Sequence, residues 1–243
     1  MVTDSLDIPL VRAPGERRLY SWAAAIGLLV VFAGFAPTYY LKHVIGGAPD
    51  LDGLRMIHGA VMTTWFTLFL VQARLVAAGR TDIHRQLGTA GIVVAALVVG
   101  MGMSLAIASV RSGTSPIPGI PPLVFLVMPV GEMFVFTVLF SAAIALRRRS
   151  AWHKRLMLLG TLAMVTPAVA RLPFEFLRAG GPPAFFAVTD LIILGCIAFD
   201  TARNRRVHPA FVAGLAFVVV AQLGRLPLSQ TGAWMSFAKW LVG

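Results

Sequence analysis

The sequence predicts an all-α polytopic membrane protein, about seven transmembrane helices in one bundle, and three observations carry that reading. Hydrophobic residues make up 58% of the 243 residues, charged residues only 13%, and mean hydropathy is +0.81; soluble domains carry about 25% charged residues. The apolar residues fall in seven runs, at about 21–41, 56–78, 87–110, 122–146, 155–177, 184–202 and 209–226, each near the roughly 20 residues that cross a bilayer. Of the 21 basic residues, 14 fall in loops on one side and five on the other, with Arg171 and Arg225 near span ends. This composition excludes a secreted soluble enzyme and a disordered chain. The single cysteine, Cys196, lies inside an apolar run, which excludes an intramolecular disulfide and a thiolate cluster.

Residues 1–20 are polar and mixed in charge, without the apolar core and cleavage site of a signal peptide. They are expected to form a cytoplasmic segment ahead of a seven-helix domain over 21–226. The remainder, 227–243, reads as an external amphipathic tail, with Trp234 and Trp240 suited to the headgroup region. The asymmetry in basic residues follows the positive-inside rule, so the N-terminus is expected in the cytoplasm and the C-terminus outside. The formal charge of +11 then describes a face against anionic lipid. It is not a nucleic-acid footprint, because the cations sit in short juxtamembrane loops.

Three of the spans begin alike. The third opens on His84 in DIHRQLG, the fifth on His153 in AWHKRLM and the seventh on His208 in RRVHPAF. The fifth and seventh also end alike, on Arg171-Leu172-Pro173 and Arg225-Leu226-Pro227. The pattern suggests three two-helix hairpins behind a first, added span. A continuous fifth helix would put His153 and Arg171 on one face. The stretches HGAVMTTWFTLFLVQARLVAAGRTDIHRQLG and WHKRLMLLGTLAMVTPAVARLP resemble a group of uncharacterised bacterial multi-pass proteins with an HG…W…Q…GR..HRxLG segment and a later HKRLM segment. The resemblance covers about spans two to five. It implies a multi-pass bundle in the bacterial inner membrane and carries no activity.

Charged side chains inside a bilayer cost about 2.5–3.5 kcal/mol on insertion scales, so each needs a reason. Glu132 lies near the middle of span four and Asp190 about six residues into span six; neither has a cationic partner in its own span. Arg171 and Glu175, four apart near the end of span five, have the spacing of an intrahelical pair. Arg225 lies near the end of span seven, and His58 one turn into span two. These six groups are expected in the external half. Asp200, at the other end of span six, reads as an interfacial charge facing Arg203 and Arg206. On span two, His58, Met62, Trp65, Phe69 and Gln72 recur at heptad-like spacing, and the polar members turn that stripe toward protein. Pro129 and Pro167 are placed to kink their helices and free backbone carbonyls.

Two acids without partners, beside aromatic residues, suggest a pocket doing acid–base chemistry on an amphipathic, lipid- or isoprenoid-like substrate. Glu132 and Asp190 would be its catalytic groups, and His58, Trp65, Gln72, Arg171, Glu175 and Arg225 would bind substrate. The similarity to the seven-span membrane terpene cyclases is loose and of architecture alone. This reading needs no cofactor and no metal; the partners it implies are membrane lipid and a hydrophobic or amphipathic small molecule. A second class is an electron-transfer protein, quinone-linked or carrying a b-type haem on His84 and His153. Those two histidines lie at matching depth on different helices, but among basic loop edges, where an interfacial histidine is the plainer reading. A third is a small transporter or sensor in which Arg171 and Arg225 bind an anionic ligand. There is no HExxH, GxSxG or Gly-rich phosphate loop.

Overall fold

The computed structural model describes residues 14–46, 49–117 and 119–243. The described residues are helical throughout, with no strand. Eleven α-helices follow in order: α1 Pro14–Phe35, α2 Lys42–Ile45, α3 Gly53–Ala77, α4 Thr81–Arg111, α5 Pro122–Phe125, α6 Val127–Ala145, α7 Ser150–Ala163, α8 Thr166–Val169, α9 Glu175–Asn204, α10 Pro209–Ser229 and α11 Gly232–Val242. A π-helical turn, Ala36–Tyr40, extends α1. Six stretches are long and apolar enough to cross a membrane: Arg18–Tyr40, Gly53–Ala77, Thr81–Arg111, Pro122–Ala145, Glu175–Asn204 and Pro209–Ser229. Their outward faces are apolar, as Trp22, Ile26 and Leu29 on α1, Leu191 and Leu194 on α9, and Val212, Val220 and Leu223 on α10 illustrate. Faces of that composition suit lipid, not water.

The fifth apolar run departs from the expected continuous helix. It forms α7, a turn at Met164–Val165, and the short α8. Pro167 has no N–H to give to the carbonyl of Ala163; the Thr166 hydroxyl donates to that carbonyl at 3.0 Å instead. α7 is buried on all sides, with Leu156, Leu158, Leu159, Gly160, Thr161, Leu162 and Ala163 all in the interior. It packs on α1, α6, α9 and α10, which is how an all-round apolar helix is used in a bundle. α1 lies so close to α8 that a Cβ at Gly34 would overlap the carbonyl of Ala168. The next helix begins early, at Glu175, and breaks at Gly181 (φ 56°, ψ −148°) ahead of Pro182-Pro183.

Two other expectations are corrected here. Asp200 is not an interfacial charge: it is 1% exposed and faces Arg155 of α7. The Arg155 Nε and Nη2 donate to its two oxygens at 2.7–3.1 Å, and Tyr20 of α1 adds a hydroxyl at 3.3 Å. The second concerns the two tryptophans of the C-terminal tail. Trp240 is exposed, but Trp234 is buried against Leu126 and Val127, its indole N–H donating to the carbonyl of Leu123 at 2.9 Å. The N-terminal segment ahead of Pro14 lies outside the described residues.

The Arg155–Asp200 pair joins α1, α7 and α9 at the arginine-rich end of the bundle. Breaking a buried pair from one side costs about 3–5 kcal/mol. Asp200→Asn should therefore lower the unfolding free energy in bilayer-mimetic micelles by about that amount, measured by denaturant titration.

Candidate functional site

α4, α7 and α10, the helices that open on His84, His153 and His208, start at one end of the bundle. The His84 and His153 rings face each other with centroids 6.4 Å apart and planes at 73°. The His208 ring lies 5.4 Å from that of Trp152. His208 serves differently: its Nδ1 accepts the Ala210 N–H and caps α10, so that nitrogen carries no proton. Burial first, and then the nearby charge of Arg155, lower its pKa; Lys154 and Arg206 act the same way and Asp200 opposes them.

His153 is oriented by a carbonyl. Its Nδ1 lies 2.9 Å from the oxygen of Ala143, in the last turn of α6, where carbonyls lack an intrahelical partner. A carbonyl only accepts, so Nδ1 carries a proton. His84 is held from α3. The Gln72 amide donates to the His84 backbone carbonyl at 3.3 Å, while the Gln72 Oε1 and the His84 Nδ1 are both buried without a protein partner. A tight turn sets this relation. Gly79 adopts φ +77°, the Arg80 N–H bonds the Leu75 carbonyl at 2.9 Å and the Gly79 N–H bonds that of Val76 at 3.1 Å. That is a Schellman ending of α3, and it folds α4 directly back along α3.

The remaining members of the span-two stripe also face protein. Trp65 is buried, edge-on to Phe136 (5.0 Å) and Phe140 (5.7 Å) of α6. The Nδ1 of His58 is buried.

The intramembrane charges converge only in part, at the far end from the histidines. Arg225 Nη1 donates to Glu132 Oε2 at 2.8 Å, both side chains being more than nine-tenths buried. The guanidinium lies 5.4 Å from the Phe186 ring centre. It rests on the bare backbone of Gly131, where a Cβ would overlap its Nε. One turn earlier on α10, Gln222 donates to Asp190 at 3.1 Å. Glu132 and Asp190 thus take partners from α10. Arg171 is elsewhere: it bonds the Pro167 carbonyl at 2.7 Å and stacks 4.5 Å over Phe35. It makes no ion pair with Glu175, because the chain leaves the helix at α8 and the four-residue spacing no longer applies. Glu175 is exposed in the first turn of α9.

A cavity of about 290 Å³ opens one turn beyond the Glu132–Arg225 pair. It is lined by Ile120, Val124, Phe125 and Met128 on one side and Leu226, Ser229 and Gln230 on the other. Met128 is four residues before Glu132 on α6, and Ser229 four after Arg225 on α10. Sequence reasoning missed Gln222, Gly131 and Arg155. A glutamine three residues from Arg225 in an otherwise apolar helix was a signal for the first; Arg155 reads in sequence as one more loop cation. No protein family, curated protein or solved structure matches this chain.

Glu132 is the sole carboxylate partner of Arg225 among the described ion pairs, so Glu132→Gln leaves a buried guanidinium facing a neutral amide. The variant should lose about 3–5 kcal/mol of stability, seen as a lowered thermal midpoint. A fully stable Glu132→Gln would mark the pair as functional instead of structural.

Proposed function

We propose that the protein is a haem-binding electron-transfer protein of the bacterial inner membrane, holding a b-type haem between His84 and His153. The observation that carries this reading is the pair itself: two imidazoles from different helices, 6.4 Å apart between ring centres, one with its Nδ1 committed to a backbone carbonyl. A histidine whose Nδ1–H is fixed this way presents Nε2 to a metal. The donor set fits a haem iron, and the buried, unpartnered Nδ1 of His84 marks a ring not otherwise used by the fold. Bound there, haem supplies one-electron redox chemistry. The chain's own part is to hold both imidazoles in place and to neutralise the propionates. The segments flanking the two histidines carry Arg80, Arg85, Arg147, Arg148, Arg149 and Lys154, cations of the sign those carboxylates call for.

In this reading α7 and α8 complete a seventh crossing, since Ser150 to Val169 spans about 30 Å at 1.5 Å per residue. Positive-inside charge then puts the N-terminus and the histidine pair on the cytoplasmic side and α11 outside.

The cavity beside the Glu132–Arg225 pair favours a second reading, a site for an amphipathic small molecule near Glu132 and Asp190. Its apolar walls with a few polar groups have the make-up of a small-molecule site. The ion pair occupies the Glu132 carboxyl with Arg225, which weakens the case for a free catalytic acid there.

Protein purified after expression with ample haem precursor should be coloured, with a Soret band and sharp bands on dithionite reduction. His84→Ala and His153→Ala should each lose the six-coordinate spectrum, while His208→Ala keeps it. A colourless protein overturns the haem reading. Met128→Trp, which fills the far cavity, should leave the spectrum intact and abolish binding of an isoprenoid alcohol only if the second reading holds.

A further inference from the structure

We propose that α11 is a strap across the far cavity, and that Trp234 is the residue through which it holds the cavity's short wall in place. The proposal rests on the second reading, a small-molecule site beside the Glu132–Arg225 pair, for its purpose; its content is a set of contacts within the chain. One wall is built on α10: Leu226 and Ser229 lie in its last turns, and Gln230 follows at once. The other is built on α5, where Pro121, Val124 and Phe125 line the cavity. α5 is a single turn of helix. It opens on Pro121 and Pro122, which have no N–H to give, it carries no side-chain cap, and a turn at Leu126 sets it off from α6.

α11 is fastened to both walls. Its cap is Thr231, the residue after Gln230, whose hydroxyl accepts the Trp234 backbone N–H at 3.1 Å. The start of α11 is therefore fixed to the end of the α10 wall. From there the Trp234 indole, 5% exposed, reaches across, and its N–H donates to the Leu123 carbonyl within α5 at 2.9 Å. The ring belongs to a buried cluster with Leu126, Val127 and Ala238. At the other end of the strap, Arg111 Nε of α4 donates to the Val242 carbonyl at 2.8 Å. Buried indole N–H groups find an acceptor, and here the acceptor belongs to the wall with the least hold of its own. Strap and wall therefore open together, and α11 sets the width of the cavity.

The test is hydrogen exchange, followed by NMR on the whole 15N-labelled protein in nanodiscs. The backbone N–H groups of Val124, Phe125 and Leu126 bond the carbonyls of Pro121 and Pro122. In the wild type they should share a common protection factor with the Trp234 indole N–H, because one local opening exposes them all. Trp234→Phe keeps an aromatic ring and removes the donor. It should lower protection in α5 by about three- to tenfold, the worth of one net hydrogen bond, and leave α6 beyond Met133 as in the wild type. Farnesol supplies a second readout: its affinity should fall in Trp234→Phe by about the same factor, since only the closed wall binds. The proposal is overturned if Trp234 and α5 have different protection factors in the wild type, or if farnesol binds both proteins equally tightly. It is overturned as well if α5 exchange is unchanged in Trp234→Phe, the result a tryptophan that merely fills space would give. If farnesol does not bind the wild type, the second reading fails, while the exchange measurements still decide whether α11 holds α5.

Discussion

The Arg155–Asp200 ion pair is the contact on which the arrangement of this bundle depends. A charge in a low-dielectric interior is expensive unless it meets an opposite charge with its hydrogen bonds filled. Arg155 and Asp200 come from helices 45 residues apart in the chain and meet that condition only when α7 and α9 are in one rotational setting. Tyr20 adds α1 to the same point. Once the azimuth of α7 is fixed by Arg155, the direction of His153, two residues earlier, is fixed as well. The far pair, Glu132 with Arg225, does the same for α6 and α10. α7 carries Arg155 of the first clasp, and its residues Leu158 to Ala163 are all buried.

The His84–His153 pair sits on this frame, not within the membrane-depth charge network. One histidine belongs to the helix the clasp orients, and the other to a hairpin that a glycine-containing turn closes. Under the proposed haem reading, two rigid, independent supports are what the pair of imidazoles would need. The structure therefore separates its polar groups by depth. The facing histidines lie at the arginine-rich end, and an ion pair beside an apolar cavity lies at the other.

Much of this was legible in the sequence, for physical reasons that also mark where legibility stopped. The all-helical membrane class follows from composition, and the inward face of the second span follows from the spacing of His58, Trp65 and Gln72. The common His at the head of three spans correctly grouped His84, His153 and His208 at one end. Periodicity failed where backbone chemistry intervened. Pro167 ends α7's continuity, and the chain leaves the helix after α8, which removes the Arg171–Glu175 spacing because an i,i+4 contact needs an unbroken helix. Partners across helices were out of reach. Glu132 could be seen to need a cation from elsewhere, but the choice of Arg225 over Arg171 depends on Gly131, whose missing side chain makes room for the guanidinium. Asp200 was misassigned because arginines adjacent in sequence hid the one adjacent in space.

Electron paramagnetic resonance of the oxidised protein tests the proposed haem site most directly, because a low-spin ferric signal would need both His84 and His153. The rings here lie at 73° to one another, set by Ala143 on one side and by the α3–α4 hairpin on the other. A low-spin ferric signal is the result expected, with its loss in either His84→Ala or His153→Ala. The absence of any low-spin signal, or one that survives both substitutions, would contradict the account.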